Sequence, residues 1–166
     1  MVRGFFFMRE PMTPHNIDPI HLTMDWFKAA VPEPTSKNGH TQLGVHFEEV
    51  AEMVAELSSK DDFTNRMIRS LRQALELFAE HLKRNDNLIE IKDAAKFLDS
   101  ICDQMVTGTG VGYMANMNVT GAMHAVVASN YSKFVDGKPI FNENRKIMKG
   151  PDYLVADMTP YLDKSA

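Results

Sequence analysis

The sequence predicts an all-α protein, a four- to five-helix bundle with a small C-terminal β-hairpin and irregular tail. Three observations carry that expectation. Apolar residues recur at steps of three and four through most of the chain, the period of a helix face. Clusters of proline, glycine and asparagine fall between the periodic blocks. Only near residues 138–153 does the pattern change, to two short apolar runs around a polar turn.

Residues 1–16, with Pro11 and Pro14, read as a loose arm. A short helix is expected from about Asp18 to Ala30, ended by the loop "VPEPTSKNG" at 31–39. From His40 to Leu57 the series Leu43, Phe47, Val50, Val54 and Leu57 predicts a second helix. Phe63, Met67, Leu71, Leu75, Phe78 and Leu82 predict a third, closed by "KRNDN" at 83–87. Ile91, Ala94, Leu98, Ile101 and Met105 open a fourth, continued by Gly108, Gly112 and Ala115. Asn118, a good N-cap, starts a fifth that runs to about Asn130. The segment "KPIFNENRKIMKGPDY" (138–153) suggests the hairpin. One domain spans 1–166, with 134–166 as hairpin and tail.

With 166 residues the chain buries a proper core. A net charge of −4 and a pI near 5.8 argue against a nucleic-acid-binding surface. "GFFF" at 4–7 is too short for a membrane span or a signal segment. The lone Cys102 lies in an apolar periodic run and reads as a buried small hydrophobe. A soluble cytoplasmic protein with neither nucleic acid nor membrane as partner is the expectation.

Within "DSICDQMVTGTGVGYM" (99–114), Gly108, Gly110 and Gly112 admit two readings. A dinucleotide fingerprint needs G-x-G-x-x-G directly after a strand, and a P-loop needs a lysine and a hydroxyl. Neither is present, and Phe97 to Val106 has helical period. Glycine costs a helix about 1 kcal/mol against alanine. Close helix–helix approach is the expected reason for these three.

The carboxylates carry more. Residues three or four apart share a helix face. "HFEEVAEMVAEL" (46–57) sets Glu49, Glu52 and Glu56 along one strip, and "DSICD" does the same with Asp99 and Asp103. A solvated face is the plain reading of any single pair. The positions four residues after Glu48, Glu49, Glu52 and Glu56 hold Glu52, Met53, Glu56 and Lys60, so only the last is relieved by a base. Two carboxylates about 6 Å apart repel by roughly 3 kcal/mol at an effective dielectric of 20. Two such strips make sense with a divalent cation between them. All-oxygen ligands select Mg²⁺, with Mn²⁺ as a substitute. No His/Cys spacing suggests zinc.

"EEVAE" at 48–52 followed by "DSICD" at 99–103 resembles the paired acidic helices of the MazG-like all-α nucleotide pyrophosphohydrolase superfamily. That group includes phosphoribosyl-ATP pyrophosphohydrolases, dimeric dUTPases and dCTP pyrophosphatases. The tail "SNYSKFVDGKPIFNENRKIMKGPDYLVADM" (129–158) is similar to the MazG-like proteins common in phages and bacteria, with an Asn-x-x-Lys pair and a following "KGP-x-Y". The resemblance covers roughly residues 40 to 160. It implies Mg²⁺-dependent hydrolysis of a nucleoside triphosphate to the monophosphate and pyrophosphate. By position it implies Glu49, Glu52, Asp99 and Asp103 as metal ligands. Asn130 and Lys133 match its substrate-contacting pair, and it implies a homodimer or homotetramer. Two features depart from it. D-x-x-x-D stands where the general pattern is E-x-x-D, and the segment between the motifs is longer than in compact members.

Glu48, Glu49 and Glu52 supply the catalytic candidates, with Glu48 or Glu56 as an acceptor for a water proton. Lys133 is placed to meet phosphate, with Lys149 and Arg145 as weaker candidates; Trp26, Phe27 and Tyr113 are candidates for a base slot. Two alternatives stand beside this reading. One is a phosphoribosyl-ATP or dUTP pyrophosphohydrolase of the same superfamily. The other is a non-catalytic helical oligomerisation or binding module whose carboxylates are only surface.

Overall fold

The computed structural model describes residues 18–162, so the arm expected at 1–16 lies outside it. Among the described residues there are five α-helices: α1 (Pro19–Ala30), α2 (Ser36–Ala55), α3 (Asp62–Arg84), α4 (Ala94–Met114) and α5 (Val119–Tyr131). A 3₁₀ turn, Thr159–Tyr161, follows near the end. Each helix start carries a local cap, and α2 begins at Ser36 inside the expected 31–39 loop because Thr35 and Asn38 form a capping box. Asp18, Thr35, Asp61, Asp93 and Asn118 each accept a hydrogen bond from a first-turn N–H, satisfying donors that a helix leaves unpaired. No helix among the described residues is long and apolar enough to cross a membrane.

The best-packed unit is the antiparallel pair α2–α3. Ala51, Val54, Ala79 and Leu82 are buried within it, and the Phe47 and Phe78 rings meet at 5.1 Å. Gly44 sets the closest approach. A Cβ there would lie 2.7 Å from Lys83 Cγ and 2.8 Å from the Ala79 carbonyl oxygen. A second unit joins α1 to α5. The buried Trp26 donates from its indole N–H to the Asn130 carbonyl at 2.9 Å and stacks on Phe134 at 5.8 Å. His40 ties the α3–α4 connection to α2. Its Nδ1 donates to the Ser36 carbonyl, leaving Nε2 to accept from the Leu88 and Ile89 N–H groups at 3.0 and 3.2 Å.

The 99–114 stretch is helical throughout, so no phosphate-cradling loop forms there. The packing expected of its glycines is mostly absent. Gly108 and Gly110 face open space, and only Gly112 is crowded, against Val119. Cys102 is likewise exposed rather than buried. Both corrections have one cause: α4 makes no close backbone approach to α2 or α3 and has no buried residue. Expected results follow for the two kinds of glycine. Gly44→Ala should lower stability by about 1–3 kcal/mol through overpacking. Gly110→Ala should raise it by about 1 kcal/mol through helix propensity. Thermal melting reads each as roughly 2–4 °C per kcal/mol.

The C-terminal hairpin does not form. Val135 pairs with Lys138 and Phe141 with Ile147, but each is a single bridge and no ladder extends from either. Pro139 has no N–H to give a ladder, and a lone two-stranded ribbon is marginal in water. Instead the segment is fastened to α2. Thr41 Oγ1 donates to the Asn144 carbonyl at 2.6 Å, and Lys146 Nζ reaches Glu48 at 2.8 Å.

Candidate functional site

The α2 carboxylates divide into two kinds. Glu48 has both oxygens engaged, Oε1 at 2.8 Å from Lys83 Nζ and Oε2 at 2.8 Å from Lys146 Nζ. Lys83 also meets Glu80 at 2.9 Å, and its side chain is only 11% exposed. Burial pushes the Glu48 carboxyl up, but hydrogen bonds and charge from Lys146 and Lys83 outweigh it and hold the pKa below the ordinary value. Such a group ties α2, α3 and the C-terminal segment together. It is poorly placed to take a proton.

Glu49 is the opposite case. Burial raises its pKa first, repulsion from Glu52 and Glu48 adds to it, and Lys146 and Lys133 only partly oppose. A carboxyl raised in this way moves towards the range in which a general base works at neutral pH. Glu49 is nevertheless solvent-exposed, as is Glu52 further along α2 and Glu56 at the cap that ends it.

Asn130 and Lys133 lie where α5 ends, and Lys133 Nζ donates to Asn130 Oδ1 at 2.7 Å. The same ammonium stands 5.9 Å from the Trp26 ring centre. Burial lowers the Lys133 pKa, and its electrostatic neighbours are Tyr153, Glu49, Lys149 and Lys146. Lys149 lies 4.7 Å over the Tyr153 ring. Asn130, Lys133 and Lys149 thus share one neighbourhood with Glu49.

A cleft of about 370 Å³ opens beside this cluster. Trp26, Phe27, Val45 and Ile147 give it an apolar side, and Lys133, Arg145 and Lys146 line it with charge. Arg145 holds a left-handed backbone, φ +62°, a region uncommon for residues with a long side chain. The turn that carries it is fixed by Asn142, whose Oδ1 accepts from the Asn144 and Lys146 N–H groups. Lys146 was not legible as a site residue. It lies 98 positions from Glu48, in a run that read as a hairpin. Tyr113 lies away from this cleft, beside Pro160 and Tyr161.

The second acidic pair stands apart. Asp99 and Asp103 are exposed on α4. One side-chain bond joins that helix to α2, His46 Nε2 to Gln104 Oε1 at 2.7 Å. Among the described residues no three His, Cys, Asp or Glu side chains are grouped to hold a metal ion. The quartet Glu49, Glu52, Asp99 and Asp103 is therefore not gathered within one chain.

No family model, curated protein or solved structure matches the chain.

Proposed function

We propose that the chain hydrolyses a nucleoside triphosphate, NTP or dNTP, to the monophosphate and pyrophosphate in an Mg²⁺-dependent reaction. One observation supports this above the rest: the cations of an aromatic-sided cleft adjoin the acidic face of α2. A nucleotide has this polarity, a flat base at one end and a chain of phosphates at the other. The base meets Trp26 and Phe27, and the phosphates meet Lys133, Arg145 and Lys146. Glu49, its pKa raised beside these cations, accepts the proton of the attacking water. Bound phosphate stabilises the charge on Lys133, which burial otherwise disfavours. Magnesium would offset triphosphate charge and acidify a water. The four expected carboxylates do not meet in one chain, so the roles given to Lys133, Lys146 and Glu49 stand without it.

A phosphoribosyl-ATP or dUTP pyrophosphohydrolase would use the same cleft with a different base contact. A non-catalytic oligomerising module draws instead on the uncovered side of α4, and it predicts no pyrophosphate release. Lys133→Met tests the cleft. Loss of a charge-assisted phosphate contact is worth about 1.5–3 kcal/mol, so kcat/KM should fall roughly 10- to 150-fold while circular dichroism stays unchanged. Unaltered kinetics with a folded variant would remove Lys133 from the substrate site.

A further inference from the structure

Along α2 the positions Asn38, Gln42, Val45 and Glu49 follow one another at steps of four, three and four, so they share one face. The first three line the cleft, and Glu49 is an electrostatic neighbour of its Lys133. From Gln42 to Glu49 the helix rises about 10 Å. That length suits a nucleotide bound with its base at Gln42 and its phosphates near Glu49.

Two residues at the far end of this face have no use inside the chain. Gly39 lies within α2 and lines the cleft, yet a Cβ built on it would meet no atom of the described residues within 4 Å. Glycine there weakens the helix without the tight contact that explains Gly44 on the same helix. What it leaves is a bare stretch of backbone, and a flat ring can lie against that. Gln42 is exposed, and its carboxamide has no hydrogen bond among the described residues. It therefore offers the cleft one acceptor and an amide donor. Asn38 is half committed. Its Oδ1 accepts from the Thr35 N–H and hydroxyl at 3.1 and 2.6 Å, and its Nδ2 is left to donate.

We infer, resting on the nucleotide reading of the cleft, that Gly39 and Gln42 form its base-specificity subsite. The base rests against the Gly39 backbone, and Gln42 with Asn38 Nδ2 reads its polar edge. Hydrogen bonds supply what stacking does not. Every base has a flat face, so an aromatic wall holds all of them alike. A polar group that must find a partner rejects a base whose edge lacks one. A bare triphosphate has no face and no edge, and it touches neither residue.

Calorimetric binding in EDTA, where an Mg²⁺-dependent enzyme turns nothing over, separates the two ends of the cleft. The probes are the eight common NTPs and dNTPs and inorganic tripolyphosphate. Gly39→Ile should weaken the tightest-bound nucleotide at least about 10-fold, because its bulk fills the place of the base. The same variant should melt roughly 1–2 °C higher, since isoleucine disfavours a helix less than glycine does. Gln42→Leu should narrow the spread of affinities across the eight to less than about threefold. Tripolyphosphate should bind both variants as it binds the wild type. Nucleotide affinities unchanged in both variants, or a wild type that binds all eight alike, would overturn the subsite and leave the hydrolase reading standing. Variants that lose tripolyphosphate along with the nucleotides would also overturn it. A wild type that binds neither nucleotide nor tripolyphosphate would sink both.

Discussion

Glu48→Ala is expected to destabilise the fold by about 2–3 kcal/mol, a melting shift of roughly 5–10 °C. Removing one member of a buried ion pair costs more than the pair contributes, because the other member is left charged and poorly solvated. Here that member is Lys83, almost wholly covered and left with Glu80 alone. Lys146 loses the same anchor, and with it the turn that carries Arg145 beside the cleft. Partial exposure of Glu48 tempers the cost, which is why the figure sits below the 3–5 kcal/mol of a fully buried pair. The effect depends on pH. The folded pKa of Glu48 lies below its ordinary value, so its contribution is complete above the ordinary carboxylate range. It is lost as pH falls through the depressed folded value. Melting curves of Glu48→Ala and the wild type should therefore converge in acid and separate at neutral pH.

Glu49→Gln is expected to move stability and activity in opposite directions. The folded chain raises this carboxyl's pKa through burial and through repulsion from Glu52 and Glu48. Ionising it at neutral pH thus costs folded-state stability, and a neutral amide of the same shape removes that cost. The melting temperature should rise above the folded pKa of Glu49, and the gain should vanish in acid, where the carboxyl is already protonated. If Glu49 takes the proton of the attacking water, pyrophosphate release should fall by 100-fold or more, the usual worth of a general base being about 10²–10⁴. A site residue that weakens its own fold is the ordinary signature of function. A Glu49→Gln protein that is more stable and fully active would remove Glu49 from the chemistry.

The helices were legible because each carries its own local signals. Asn118 caps α5 as its residue type and place suggested, and the 3–4 spacing of Phe63 to Leu82 marks α3 to within two residues. What failed depended on partners distant in sequence. Gly108 and Gly110 looked like packing glycines, yet the glycine that lets two helices touch is Gly44, which no local spacing singles out. The run 138–153 carries strand-like residues, but Thr41 and Glu48 on α2 hold it as an irregular strap. Asn130 and Lys133 were singled out by the family resemblance and by nothing in their spacing, and the structure sets them in contact. Lys146 and Lys83 were not, since their meaning comes only from Glu48 across the fold. The carboxylates of α2 read as one strip and prove to be of two kinds, because Glu48 is held by two lysines and Glu49 stands beside Glu48 and Glu52.

Pyrophosphate release from the eight common NTPs and dNTPs, with and without Mg²⁺, tests the central claim most directly. The account predicts stoichiometric monophosphate and pyrophosphate from at least one of them, dependent on Mg²⁺ and slowed in Lys133→Met and Glu49→Gln. Release of orthophosphate in place of pyrophosphate, or no turnover of any of the eight by the folded protein, would contradict it.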